Sequence, residues 1–227
     1  MLQVDEYLRE DGSNPYRVWF ERLSAQAAAK VATATYRLAS GNVSAIKWFA
    51  GIGELKIDWG PGYRIYLAKD GDTLIVLFGG GTKVSQAKDI VKAKALHVEY
   101  KARKRALKYI DASFIPVVNK MALTRHFKDT ILERVQREPA FAKAMLDEAA
   151  TLFLNGEPDS ARAILRDLVN ATVGFEQLAV NTDKNSKSLH RMLSPSGNPS
   201  MDNLATIFGA VSKQLKVDLK VRTVRAA

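Results

Sequence analysis

Residues 174–215, GFEQLAVNTDKNSKSLHRMLSPSGNPSMDNLATIFGAVSKQL, leave this part of the chain few folds to adopt. Phe175 to Asn181 reads as a short amphipathic helix with Leu178 and Ala179 turned inward. A polar break, Thr182 to Lys184, follows, and Asn185 is a good N-cap for a second helix, Ser186 to Leu193. That helix turns Leu189, Met192 and Leu193 inward and Lys187, Ser188, His190 and Arg191 outward. A third helix from Ser200 carries Leu204, Ile207, Phe208, Val211 and Leu215 at i, i+3, i+4, i+7 spacing. Two short helices joined by a three- to four-residue turn have helix-turn-helix spacing, which serves DNA-reading units and ordinary helical bundles alike.

The same residues resemble the Cro/repressor-type helix-turn-helix of antitoxins, in particular the HigA-like addiction-module group. The resemblance lies in Phe175–Ala179, Ser188–Ser194 and Gly197–Ser200. Asp183 stands where a turn glycine is usual, and it tolerates a left-handed backbone. The resemblance implies operator binding. Phosphate contacts would come from Lys184, Lys187 and the helix N-terminus around Asn185, and base contacts from Ser186, Ser188, His190 and Arg191. One short reading helix covers little DNA, so a homodimer on a palindrome is expected.

The net charge of +10, most of it in residues 1–120, favours a polyanionic partner. No 18-residue apolar run offers a membrane span, which makes nucleic acid the better partner. The N-terminus is crowded with acids and arginine (Asp5, Glu6, Arg9, Glu10, Asp11) where a signal peptide would be apolar. There is no cysteine, and the three histidines are scattered, so neither disulfide, metal site nor other cofactor is expected. A cytoplasmic location follows as an expectation.

In the first half, Leu2 to Leu8 predicts a strand ended by Asp-Gly-Ser-Asn-Pro. Pro15 starts a helix to about Leu23. Ser24 caps another, whose Ala28, Val31, Ala32, Thr35, Leu38 and Ala39 share a face, with Gly41 at its end. Beyond Gly53 the apolar period drops from about 3.6 to 2. Leu55, Ile57 and Trp59 alternate with Glu54, Lys56 and Asp58. After Gly60-Pro61-Gly62, Tyr63, Ile65 and Leu67 alternate with Arg64 and Tyr66. Asp70-Gly71 turns the chain into Thr73–Phe78, and three glycines lead to a long helix from Ser85 to Lys104. The order β-α-α-β-β-β-α predicts an α+β domain, an antiparallel sheet with helices on one face. Glu54, Lys56, Arg64 and Tyr66 then project from the opposite, open face, within reach of Lys83. A solvated face with cross-strand ion pairs would use the same residues.

The segments GIGELKIDWGPGYRIYLAKDG and GGGTKVSQAKDIVKAKAL resemble HigB-like toxins of the RelE/ParE superfamily over about residues 1–105. Most such toxins are mRNA endoribonucleases acting on the ribosome, whereas the ParE branch inhibits gyrase. Cleavage by a 2′-hydroxyl needs a base, charge stabilisation on the phosphorane and an acid for the leaving oxygen. Crowded cations lower a lysine pKa toward that of a usable base, and arginine grips phosphate with two parallel hydrogen bonds. The resemblance thus suggests Arg64 on the phosphate, Lys83 or Lys56 as base or charge stabiliser, and Tyr66 stacking or donating a proton. Glu54 is the weaker candidate base.

Lys101–Lys108 is a basic run, Pro116 opposes continued helix, and Met121-Ala-Leu-Thr resembles an independent start. The domain plan is therefore a toxin-like 1–106, a linker 107–120 containing Phe114, Ile115, Val117 and Val118, and an all-α antitoxin-like 121–227 with the helix-turn-helix at 174–215. Helices are expected from Thr124 or Arg125 (Phe127, Ile131, Val135 inward), from Pro139 (Phe141, Met145, Ala149, Leu152) and from Pro158 (Ala161, Ile164, Leu165, Leu168, Val169). Val217, Leu219 and Val221 alternate as a short terminal strand, able to pair in a dimer or with the toxin sheet. The whole reads as a toxin and an antitoxin in one chain, the antitoxin half binding the toxin half, neutralising it and repressing its own operon. The alternatives are a DNA-binding regulator whose toxin-like domain serves assembly, and a gyrase inhibitor.

Overall fold

The computed structural model describes residues 2–108 and 122–221. The chain divides into two compact units, Met1–Ile131 and Leu132–Ala227. No helix among the described residues is long and apolar enough to cross a membrane.

The first unit is built on a six-stranded, mostly antiparallel sheet. Its strands are β1 (Gln3–Tyr7), β2 (Ile46–Phe49), β3 (Ile52–Ile57), β4 (Tyr63–Asp70), β5 (Leu74–Thr82) and β6 (Thr124–His126). They lie in the order β2-β3-β4-β5-β1-β6. The exception to the antiparallel rule is β1, which runs parallel to β5. This corrects the purely antiparallel expectation: the chain leaves β1 through α1 and α2 and returns alongside it, as β5, only after three intervening strands, and a parallel pair needs such a long connection. The strand β2 was not anticipated. It pairs with β3 through Ala50 and Gly51, both at positive φ, a two-residue turn whose twist suits a hairpin.

Helix α1 (Pro15–Phe20) is capped by Asn14, whose side chain accepts from the Arg17 amide, and α2 (Ala25–Ala39) is capped by Ser24. Both pack on the sheet from one side, α1 against β1 and β5, α2 against β1 and β3. Ile65, Leu67, Ile75 and Leu77 are all buried. On the other side lies α3 (Gln86–Lys108), whose Ala93, Leu96 and Tyr100 form one buried cluster with Tyr7, Ile52, Tyr66, Ala68, Val76 and Phe78. Helices therefore cover both faces, not one. The physical reason is legible in β4 and β5: Tyr66, Ala68, Val76 and Phe78 make the second face as apolar as the first, and such a face has to be covered.

Residues 107 and 108, assigned to a linker by sequence, end α3. The remainder of that linker, Met121, and the basic tail from Arg222 lie outside the described residues. Thr124–His126, expected to open a helix, instead forms β6 and pairs antiparallel with β1. Helix α4 (Phe127–Arg137) follows at once, and the division between the units falls within it. Thr124 Oγ1 donates to Asp5 Oδ2 at 2.8 Å, and Thr130 Oγ1 donates to Glu6 Oε2 at 2.8 Å. Phe127 is 1% exposed and meets the Tyr36 ring edge-on at 5.2 Å. So residues 122–131 are built into the first unit.

The second unit holds α5 (Pro139–Leu154), α6 (Pro158–Ala171), α7 (Phe175–Thr182), α8 (Ser186–Met192) and α9 (Met201–Leu215). The inward stripes expected of α5 and α6 are buried, as are Leu178, Leu189, Leu193, Leu204, Ile207 and Val211. Phe208 is half-buried, edge-on to Phe153 at 5.8 Å. The terminal strand is not formed: Lys216 turns left-handed after α9, and 217–221 joins no ladder among the described residues. Alternation sets which way side chains point, but a strand needs a hydrogen-bonded neighbour.

Candidate functional site

The cross-strand register sets the toxin-like residues side by side. Glu54 lies opposite Tyr66, Lys56 opposite Arg64, and Arg64 in turn opposite Gly81. Arg64 Nη1 donates to the Gly62 carbonyl at 2.7 Å, and its Nε lies 3.6 Å from Glu54 Oε1. The other Glu54 oxygen accepts from Gln86 Nε2 at 2.8 Å. Gln86 belongs to the first turn of α3, which closes over the cluster.

The open basic face predicted from alternation is therefore not what is found. Glu54, Arg64 and Tyr66 are 7%, 5% and 1% exposed, while Lys56 and Lys83 are exposed outside the cluster. Lys56 pairs with Asp58 at 2.5 Å, and Lys83 lies just beyond β5. Asp89 of α3 adds a second carboxylate beside Tyr66. Burial and the charges of Glu54 and Asp89 push the Tyr66 hydroxyl above its ordinary range, so it stays protonated and can serve as a donor. The Tyr66 hydroxyl and Asp89 Oδ2 are buried and lack hydrogen-bond partners among the described residues. Both residues line a cavity of about 40 Å³, with Trp19, Phe78, Gly79 and Gly80 around it. That is room for a water, which would satisfy both oxygens.

The three glycines, placed before a helix by the sequence reading, belong to β5. A Cβ at Gly80 would sit 2.4 Å from the Trp19 ring, and one at Gly81 would sit 1.8 Å from Asp89 Oδ2. The glycines thus let α1 and α3 approach the end of β5 from opposite sides. Sequence reasoning missed Gln86 and Asp89. Their i, i+3 spacing was visible, but which strand residues they would meet was not.

In the second unit, α7 ends at Asp183 in the left-handed conformation, φ 50 and ψ 43, as the substitution for glycine required. Asn185 Oδ1 accepts from the Lys187 amide and starts α8. Ser186 Oγ donates to Glu176. Asn185, Lys187 and Arg191 are exposed, and Lys184 and Ser188 are half-buried. Lys187 and Arg191 lie one turn apart on the outer side of α8. His190 differs from the expected outward position. Its ring stacks on Phe175 at 3.7 Å and 18°, its carbonyl accepts from Arg166, and the Arg166 guanidinium lies over Phe175 at 5.7 Å. This stack turns the imidazole toward α6 and α7; no local period links residues 166, 175 and 190, so sequence could not reveal it. Arg162 Nη2 donates to the Pro195 carbonyl, bracing the loop after α8.

A protein of Haemophilus influenzae described only as an uncharacterized protein is 43% identical to this chain over 83 residues, which are 36% of this chain and 84% of the relative. No family model matches the chain. No solved structure matches it.

Proposed function

We propose that this chain, which belongs to one family with the uncharacterized Haemophilus influenzae protein, joins a toxin and its antitoxin in a single polypeptide. In this reading the first unit is a ribosome-dependent mRNA endoribonuclease, and the second half silences it and represses its own operon. The observation that carries the reading is the addition of Thr124–His126 to the β1 edge, with Thr130 on the buried Glu6 carboxylate. Strand addition is a common way for one protein to hold another. Within this reading the β6 clasp steadies β1, on which α3 packs through Tyr7, Glu99 and Tyr100, and so keeps α3 closed over Glu54, Arg64 and Tyr66. Cleavage then requires the first turns of α3 to yield, so that Arg64 meets phosphate and Tyr66 donates to the leaving oxygen.

Expression of residues 1–108 alone should arrest growth and stop translation, and residues 122–227 supplied in trans should restore both. Arg64→Ala should abolish the arrest. Arrest with intact translation but inhibited DNA supercoiling would point to gyrase instead. The hold on Arg64 by Gly62 and Glu54 also favours a second reading, a DNA-binding regulator whose first unit serves assembly. Absence of any arrest, with the fragment folded, selects that reading.

Operator binding by α8 rests on the exposure of Lys187 and Arg191. In a mobility-shift salt series with the DNA upstream of its own gene, Lys187→Ala should weaken binding about tenfold and lower the salt slope by about one. Arg191→Ala should cost roughly 1–3 kcal/mol and relax the sequence preference. His190→Ala should act through α8 stability, visible as a lowered melting temperature. No shift with the unaltered protein removes the repressor role.

A further inference from the structure

We propose that the outward face of α3 is a docking surface for an acidic amphipathic helix of a partner protein. At about 100° per residue, Ala87, Val91, Ala95, Val98 and Ala102 fall in one stripe roughly 80° wide. The stripe lies opposite the buried Ala93, Leu96 and Tyr100. All five residues are exposed, and the two valines are each 68% exposed. Lys94, Lys101 and Arg105 border the stripe on one side, and Lys88 and Lys92 on the other. These five cations are exposed and form no ion pair among the described residues. The two acids of α3 are turned elsewhere: Asp89 packs on Gly81, and Glu99 is bonded to Arg9 and Tyr7.

Such a face is poorly arranged for water alone. A solvated helix puts charge at the centre of its outer side and apolar residues at the borders, and here the order is reversed. Lys88–Lys92 and Lys101–Arg105 are also like-charge pairs at i, i+4, each costing a few tenths of a kcal/mol in an isolated helix. Both features are relieved by a helix carrying its own apolar stripe between rows of glutamate or aspartate. The alanines allow close approach of the two axes, about 8 Å, and the flanking cations act as the e and g charges of a coiled coil do. The stripe runs for roughly 23 Å.

Other occupants fit less well. Nucleic acid calls for cations at the centre and for aromatic platforms, which this face lacks. A membrane surface calls for longer apolar side chains than valine and alanine. A second copy of α3 would present the same sign of charge.

The test uses the full chain and a fluorescein-labelled synthetic peptide of about four heptads, leucine at a and d and glutamate at e and g. The glutamates repel one another and oppose self-pairing at neutral pH. Fluorescence anisotropy should give a micromolar Kd. The charge-neutral double variant Val91→Gln/Val98→Gln should weaken it at least about tenfold, as should Lys94→Glu/Lys101→Glu/Arg105→Glu, with unchanged circular dichroism. A matching peptide with lysine at e and g should bind only the charge-reversed variant. No binding of the glutamate peptide, or equal binding by the valine variant, overturns the proposal. So does tighter binding of a short RNA duplex that competes with the peptide and is lost on charge reversal.

Discussion

Replacing Phe127 by alanine should lower the stability of the protein by about 3–5 kcal/mol, the range for a fully buried phenylalanine. The ring is 1% exposed, edge-on to Tyr36 at 5.2 Å and stacked on His126 at 5.1 Å. Aromatic pairing adds to what simple burial contributes. Tyr36 is itself buried in α2, so little around the ring can move into the space left behind. Thermal unfolding followed by circular dichroism should show a fall in melting temperature of roughly 10 °C. Phe127 directly follows β6, so the same substitution should loosen Thr124–His126 from β1. If the clasp silences the first unit, Phe127→Ala should also slow growth when expressed, and Phe127→Ala/Arg64→Ala should not. A stability change below about 1 kcal/mol would mean that this contact does little to hold the segment.

The second large effect concerns Glu6, which is fully buried in β1. One carboxylate oxygen accepts from Asn14 and Thr130, while the other has no hydrogen-bond partner among the described residues. Burial pushes its pKa from an ordinary 4.5 up to about 7, opposed in part by those two hydrogen bonds and by the charges of Arg125 and Arg17. The folded protein therefore holds this proton over a range in which the unfolded chain has lost it. Stability linked to Glu6 is fully present below pH 4.5, declines as pH rises, and is lost above pH 7. The difference is at most about 3 kcal/mol. Chemical denaturation between pH 5 and 8 should show this decline. Glu6→Gln should flatten it and be the more stable protein at pH 8, because a neutral amide keeps an acceptor for Asn14 and Thr130 without a buried charge. An unchanged pH profile in Glu6→Gln would show that other groups set the slope.

Much of the architecture was legible because side-chain period reports directly on local geometry. The 3.6-residue stripes of α2, α5, α6 and α9 and the alternation in β3 and β4 needed only one face of each element to be apolar. The caps Ser24 and Asn185 were readable for the same local reason. What failed depended on distant partners. Alternation put Arg64 and Tyr66 on a common face, as found, but whether that face met water depended on where α3 would lie. Thr124–His126 carries no strand signature of its own, being three residues long, and becomes one through β1. Residues 217–221 do carry the signature, but among the described residues no strand lies beside them to make it real. His190 was placed outward by the helix pattern, yet stacking on Phe175 holds its ring.

The late arrival of β6 sets a schedule for synthesis. The hydrogen bonds from Thr124 and Thr130 to Asp5 and Glu6 span 119 and 124 residues. At about 5–20 residues per second, β1 leaves the ribosome some 6–24 seconds before its outer neighbour does. Once β5 has paired with it, and until β6 arrives, β1 is the rim of an unfinished sheet, with one row of amides and carbonyls open to any extended peptide nearby. Asp5 and Glu6, charged while still in water, discourage such pairing until the chain's own later residues arrive to take the place.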